Sequence, residues 1–284
     1  MIEALEYPFF QRALLAGVLA AIAGGIVGSY VHVKRIASIS GGLSHAAFGG
    51  VGLGYLLGFA PTLGATLFAL GSGAFLSAAY RRVSARLETS IAILWAVGMS
   101  LGIVFLSMAP GYKPDLTSYL FGSILFVEAG TLWWTAGLDL AIVSTVLLCF
   151  REFEAIAFDE EFARVMGLPV GILLQILFAL IALAVVSLIQ VVGVILVIAL
   201  LTLPAAIARQ WTDSLRGMMV LACLIGASCT TTGLWLAWIL ERDLGVRAAP
   251  TGPLAILLAV LAYALSTMIR RVVRRVRPAA PDAA

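Results

Sequence analysis

The chain has 284 residues, of which 62% are hydrophobic and 12% are charged, and its formal net charge is +3 at pH 7. Because a soluble domain carries about 25% charged residues, this composition excludes a soluble globular protein and indicates a polytopic membrane protein. Basic residues in such a protein reflect membrane topology, so the small positive charge is no argument for nucleic-acid binding.

Nine apolar segments are long enough, or nearly so, to cross a bilayer, which takes about 20 residues. They are Arg12 to Val33, Ile36 to Phe59, Thr62 to Tyr80, Ile91 to Ala109, Leu132 to Phe150, Val170 to Gln190, Val191 to Ala208, Leu215 to Leu240 and Leu254 to Ile269. Two of them adjoin at Gln190 without a polar loop. We therefore predict an all-α polytopic membrane protein with eight to nine transmembrane helices, some broken or re-entrant. Residues 1–284 form one transmembrane domain in this prediction, with a disordered tail at 278–284.

The distribution of basic residues predicts the orientation of the chain. If the N-terminus is outside and the spans alternate, most of the 18 lysines and arginines fall in inside loops or at the C-terminus. Arg12, Lys113, Arg242 and Arg247 are the exceptions. Because cytoplasmic loops are enriched in lysine and arginine, we predict an N-out, C-in topology with an odd number of crossings.

The second segment contains His45, one of only two histidines in the chain. An imidazole deep in a membrane is costly, and lining the path of a metal ion is one reason to keep it there. In the same segment Gly50, Gly54 and Gly58 recur at four-residue spacing. Such a face lets helices approach closely, so we predict that these glycines pack against a neighbouring helix.

Two features of the middle of the chain suggest polar structure at or within the membrane. The segment Asp115 to Val127 is apolar but too short to span, so we predict an interfacial or re-entrant helix on the outer side. Asp139 lies seven residues into the fifth apolar segment. It is either a pathway or gate residue, or its carboxylate snorkels outward to water.

The longest inside loop, Arg151 to Pro169, is predicted to contain a short amphipathic helix from Asp159 to Met166, ended by Gly167. Phe158, Phe162 and Val165 would form one apolar edge of it. That edge favours docking into the groove of a partner protein. The alternative is a helix that lies on the membrane surface.

Acidic residues at the predicted outer mouth, Glu241 and Asp243, follow the eighth segment. They would attract cations or contact a partner on the outside, unless they are simply solvated charges. Asp115, at the start of the short outer helix, belongs to the same group.

Within the inside loop, Glu161-x-Ala163-x-x-x-Gly167 resembles the coupling-helix signature of ABC importer permeases. Five further motifs, in order along the chain, are similar to those of the metal-ion ABC permeases that carry zinc, manganese or iron. They are Gly28-Ser29-Tyr30 with Lys34-Arg35, Ser44-His45-Ala46 with Gly50-Val51-Gly52-Leu53-Gly54-Tyr55, Asp115-Leu116-x-x-Tyr119-Leu120-Phe121-Gly122, Gly193 with Leu203-Pro204-Ala205-Ala206-x-Ala208-Arg209, and Pro250-Thr251-Gly252-Pro253.

The resemblance implies a permease subunit in the cytoplasmic membrane of a bacterium or archaeon. It implies a second permease copy, two copies of a separate ABC ATPase and an extracytoplasmic solute-binding protein. No cofactor would be stably bound, and the divalent metal would be cargo. The sequence has no Gly-x-x-x-x-Gly-Lys-Ser/Thr phosphate loop, so we expect ATP to be used by the partner and the chain not to be an enzyme. The residues implied to couple it to the ATPase are Phe158, Glu161, Phe162, Ala163, Val165 and Gly167.

The family has an aspartate four residues before the histidine, where this chain has Gly41. Two hypotheses follow. In one, His45 lines the metal path with help from other groups, such as Ser44 or a backbone carbonyl freed by Gly41 and Gly42. In the other, His45 is a structural hydrogen-bond donor between helices, and the metal specificity has changed. The resemblance also places Pro204 in a broken late helix, where we predict that it serves helix packing.

Three other functions are possible from the sequence. An ABC permease for an organic metal chelate is the first, because the family's carboxylate is missing. A secondary transporter driven by an ion gradient would be expected to show inverted repeats and several intramembrane acids, which this sequence lacks. A membrane enzyme would need a cluster of nucleophile, base and acid, and no such cluster is found.

Overall fold

The fold, taken from a computed structural model, is a bundle of α-helices. Residues 5–82, 87–111, 122, 127–243 and 250–276 are described. The helices in these ranges are α1 Pro8–Val33, α2 Ser38–Leu57, α3 Pro61–Arg82, α4 Leu87–Met108, α5 Ala129–Leu148, α6 Phe150–Phe158, α7 Glu160–Val165, α8 Val170–Val192, α9 Val194–Trp211, α10 Leu215–Asp243 and α11 Thr251–Val276. The predicted disordered tail lies outside the described residues, as does most of the predicted outer helix, Asp115 included.

Eight of these helices are long and apolar enough to cross a membrane: α1, α3, α4, α5, α8, α9, α10 and α11. The ninth long helix, α2, has 20 residues, enough for about 30 Å at 1.5 Å per residue. Its glycines, its serines and His45 lower its mean hydropathy, because none of these residues is strongly apolar. The prediction of an all-α protein with eight to nine spans is therefore confirmed.

Helices α1 and α8 form the centre of the bundle. In their most apolar 18-residue windows 67% and 72% of the residues are buried, against 22% in α4, α5 and α11. Pro8 begins α1 in a first turn that suits the missing N–H of proline. The three exposed helices present apolar side chains outward, as a surface in contact with lipid or another subunit requires.

Glycine contacts let several helices touch backbone to backbone. A Cβ atom on Gly50 of α2 would lie only 2.1 Å from the carbonyl oxygen of Gly64 in α3, and one on Gly54 would lie 2.8 Å from the Cα of Pro61. A methyl group at either place would force the two helices apart. The packing prediction for Gly50 and Gly54 thus has a direct geometric basis.

The packing prediction for Gly58 is wrong. Gly58 lies beyond the end of α2 with φ +74°, and its N–H bonds to the carbonyl of Gly54. A Cβ atom there would meet nothing within 4 Å. Glycine is favoured at this place because it adopts the left-handed conformation that ends a helix at little cost.

The late helix is broken, as the sequence predicts, and the break is at Gly193. Gly193 has φ +79° and ψ 165° between α8 and α9, a conformation that essentially requires glycine. The break is covered by Gly122, whose Cβ would lie 2.3 Å from the carbonyl carbon of Val192. Pro204 lies buried inside α9, and its ring is 3.7 Å from where a Cβ on Gly226 of α10 would lie.

Helices α1 and α3 end at the same end of the bundle, next to the start of α7. Lys34, directly after α1, pairs with Glu160, the first residue of α7. The hydroxyl of Tyr80, near the end of α3, donates to the same carboxylate at 2.8 Å. If the spans alternate in direction, the ends of α1 and α3 and the start of α7 lie on the same side of the membrane, as found. That this side is the inside stays a prediction of the N-out, C-in topology.

Candidate metal path and coupling surface

His45 lies near the middle of α2 and is half-buried. Its ring stacks on the indole of Trp95 in α4, with centroids 4.6 Å apart and planes inclined by 18°. The buried Nδ1 atom has no hydrogen-bond partner within the described part of the chain. A neutral imidazole whose nitrogen has no protein partner is a suitable ligand for a first-row transition metal.

Trp95 fills the space beside Gly41, one turn before His45. A Cβ atom on Gly41 would lie 2.9 Å from Cζ3 of Trp95 and 3.5 Å from Cδ1 of Ile198. A carboxylate at position 41 would therefore need the indole to move. In this chain His45 is accompanied by an aromatic ring where the family resemblance implies an acid.

Ser44 is fully buried, and its hydroxyl donates to the carbonyl of Ser40 in the same helix at 2.7 Å. Intrahelical bonds of this kind satisfy a serine hydroxyl without a partner from another helix. The structure thus gives Ser44 a backbone partner, and its place on the metal path stays a prediction.

Asp139 faces the interior of the bundle and does not snorkel outward. It is 3% exposed, and its Oδ1 accepts a hydrogen bond from the hydroxyl of Ser187 in α8 at 2.8 Å. Its other oxygen, Oδ2, is buried without a partner among the described residues. The same holds for the hydroxyl of Thr135, one turn earlier, and for both polar side-chain atoms of Gln190. Asp139 and Ser187 thus form a buried polar contact between α5 and α8. The described residues contain no group of three or more His, Cys, Asp or Glu residues that could hold a metal.

The predicted amphipathic helix is present as α7, and a further helix, α6, precedes it where the sequence suggested a loop. Asp159 separates the two helices and caps α7, accepting 2.9 Å hydrogen bonds from the backbone N–H groups of Glu161 and Phe162. An aspartate at this position satisfies N–H groups that have no partner in the helix.

An apolar surface, which we call the coupling surface, consists of Phe158, Phe162 and Val165. These residues are 56%, 60% and 86% exposed, respectively. Glu161 is exposed beside them. Large apolar side chains exposed together on a charged segment are typical of a surface that binds another protein.

Ala163 is fully buried, so it packs against the bundle and contributes no area to the coupling surface. Its carbonyl accepts the N–H of Leu168 at 3.1 Å, across the turn formed by Gly167. Of the signature residues, Ala163 thus packs α7 against the bundle and Gly167 forms the turn that ends it. Phe158 and Phe162 face outward instead. A small residue at 163 is what allows α7 to lie close to its neighbours.

Glu241 and Asp243 lie on the last turn of α10 and not in a loop. Both are exposed, and Oδ1 of Asp243 is 3.8 Å from Nε of Arg242. Their surroundings are those of solvated surface charges, and their proposed role at the outer mouth stays a prediction. Asp115 lies outside the described residues.

Three residues of these sites are not singled out by the sequence: Trp95, Tyr80 and Glu160. Trp95 looks like an ordinary interfacial aromatic residue in the sequence, because its partner is 50 residues away. The charge of Glu160 is one of several in a charged loop. Lys34 was noted as part of a motif, and only its contact with Glu160 shows what it does.

Comparison with known proteins adds independent information. A model of the ABC 3 transport family matches residues 6–270. An uncharacterised membrane protein of Synechocystis is 42% identical over 271 residues, covering 95% of this chain and 94% of that protein. The manganese transport system membrane protein MntC of Listeria monocytogenes is 31% identical over 257 residues, covering 90% and 91%. A chain of the solved structure of PsaBC from Streptococcus pneumoniae in complex with Fab has a TM-score of 0.83 and 28% identity, covering 97% and 98%.

Proposed function

The chain belongs to the ABC 3 transport family, and from this membership we propose that it is the membrane-spanning permease subunit of an importer for a divalent transition metal. The observation that carries the proposal is the family match, which covers nearly the whole chain. The similarity to a manganese transport system membrane protein supports a metal as cargo.

The metal passes His45 on its way through the membrane in this proposal. His45 contributes one imidazole nitrogen, and Trp95 holds the ring by stacking on it. A site with so few protein ligands binds a metal ion weakly. Weak binding suits a transporter, because tightly held cargo would not be released. Asp139 provides a second polar position, in the interface of α5 and α8.

ATP is hydrolysed by a separate ATPase subunit that binds the coupling surface. The chain has no phosphate-binding loop of its own, and the exposed phenylalanines of α6 and α7 offer an apolar anchor for a groove in the partner. The complete importer contains two permease copies, two ATPase copies and an extracytoplasmic solute-binding protein. It lies in the cytoplasmic membrane, and eight helices of the described part of the chain are long and apolar enough to cross a bilayer.

An importer for an organic metal chelate is the second candidate. It is favoured by one observation, the indole of Trp95 against Gly41, which replaces an acidic ligand by an apolar aromatic face. A chelate with a planar apolar part would be accommodated by such a face, whereas a bare ion would gain little from it.

Reconstitution with the ATPase subunit and the solute-binding protein of the complex tests both candidates. ATP-dependent uptake of labelled manganese or zinc is expected, and His45→Ala should lower uptake at limiting metal by about tenfold, equivalent to about 1.4 kcal/mol of binding. The other histidine supplies the control, since His32→Ala should transport normally. Unchanged uptake in His45→Ala would remove this residue from the path. Uptake of a metal chelate but of neither free ion would favour the second candidate.

A further inference from the structure

We propose that Lys34, Tyr80 and Glu160 form a joint that carries the movement of the coupling surface into α1 and α3. This inference rests on the proposed function. The ammonium of Lys34 pairs with Glu160 and also donates to the carbonyl oxygen of Ile156 at 2.9 Å. Tyr80 donates to the same oxygen of Glu160 at 2.8 Å.

The charges of the joint match the two short helices that meet there. Lys34 donates to a carbonyl in the last turn of α6, where a helix carries partial negative charge, and Glu160 lies in the first turn of α7, where the partial charge is positive. The Lys34 side chain is only 4% exposed. One ammonium thus holds the end of α6 and the start of α7 together, so the two helices are fixed to α1 as a unit.

Apolar packing supports the joint on its inner side. Tyr30, one turn before Lys34 on α1, is fully buried, and its ring meets the buried ring of Phe153 in α6 edge to face at 5.8 Å. Ile156 is also fully buried. Because close-packed side chains resist sliding, a push on the exposed face of α6 and α7 must move α1 or deform this contact.

The structure also connects the joint to the helix that carries His45. Tyr80 belongs to α3, which touches α2 backbone to backbone where Gly64 meets Gly50. Gly50 follows His45 by five residues on α2. A displacement of α3 would therefore reach α2 without an intervening flexible segment, which is what a mechanical connection between the two sites requires.

The test compares ATP hydrolysis with metal uptake in proteoliposomes that contain the complete complex. Lys34→Gln, Glu160→Gln and Tyr80→Phe are compared with Arg35→Gln and Glu152→Gln, which alter neighbouring charges outside the joint. We expect the joint variants to retain the ATPase subunit but to import several-fold less metal per ATP hydrolysed. Tyr80→Phe should have the smallest effect. Lys34→Arg should import more metal per ATP hydrolysed than Lys34→Gln. The double variant Lys34→Gln/Glu160→Gln should import no less metal per ATP hydrolysed than the more impaired of its two single variants.

A normal ratio of uptake to hydrolysis in all joint variants would overturn the proposal. If the charge variants do not assemble, Tyr80→Phe decides, since it removes one hydroxyl and keeps the ring. Phe162→Asp on the coupling surface gives the contrasting result, because it is expected to lose the ATPase subunit itself. A wild-type complex that neither binds the ATPase nor imports metal would instead contradict the proposed function.

Discussion

At the scale of single residues, Trp95 contacts His45 and also lies beside Gly41, one turn earlier on the proposed metal path. The indole stacks on the imidazole and lies where a side chain at position 41 would extend. Residues 41 and 95 are therefore coupled: neither can be changed in size without affecting the other. This coupling offers a direct way to alter the site.

Gly41→Asp alone is expected to impair uptake, because its Cβ would lie 2.9 Å from Cζ3 of Trp95 and overpacking of this kind costs about 1–3 kcal/mol. Gly41→Asp combined with Trp95→Ala should relieve this overpacking and bind manganese more tightly than wild type, because a carboxylate then lies one turn from His45. Manganese binding to the purified complexes measures this. Trp95→Ala alone is the matched control, and equal affinity in the double variant and this control would show that position 41 does not face the metal.

At the scale of helices, glycines determine how closely α2 approaches its neighbours. Gly50 and Gly64 bring α2 and α3 into backbone contact, whereas Gly71 in the same α3 helix has open space around its Cα. The two kinds of glycine cannot be distinguished by composition, since both lie in apolar helices.

Gly50→Ala is expected to destabilise the protein, because its methyl group would lie 2.1 Å from the carbonyl oxygen of Gly64. Gly71→Ala should be neutral or stabilising by up to about 1 kcal/mol, since alanine favours a helix over glycine. Thermal unfolding of the two variants in detergent gives the comparison. Equal melting temperatures would mean that α2 and α3 are not in close contact in the folded protein.

At the scale of the whole molecule, one end of the bundle holds the C-terminal ends of α1 and α3 together with the coupling surface. Glu241 lies elsewhere, on the exposed last turn of α10. The positive-inside rule assigns the first group to the cytoplasm. An importer needs this arrangement, because its ATPase works on ATP inside the cell.

Cysteine labelling tests the orientation in a background without Cys149, Cys223 and Cys229. A membrane-impermeant thiol reagent is expected to label Glu241→Cys in intact spheroplasts and Glu161→Cys only after permeabilisation. Both glutamates are exposed, so a difference in labelling reports the side of the membrane and not burial. Labelling of Glu161→Cys in intact spheroplasts would reverse the assigned topology.

The sequence alone determined the helical class and the approximate limits of the long helices in the described ranges, and the family resemblance implied the break near Gly193. Runs of apolar residues and the glycines and prolines between them are local signals, and a bilayer accepts few structures other than helices for such runs. The ordered motifs likewise indicated the family that the comparison later confirmed. The separate helix α6 is not evident from the sequence, because Arg151, Glu152 and Glu154 directly after the preceding span give the segment the character of a charged loop.

Only the tertiary structure decided which side chains meet. Lys34 and Glu160 are 126 residues apart in sequence, Tyr80 and Glu160 are 80 apart, and Ser187 and Asp139 are 48 apart. No local pattern specifies such partners, because they depend on how the helices pack. The same packing turned Asp139 inward, placed Trp95 over Gly41 and gave Gly58 the end of a helix instead of a contact between helices.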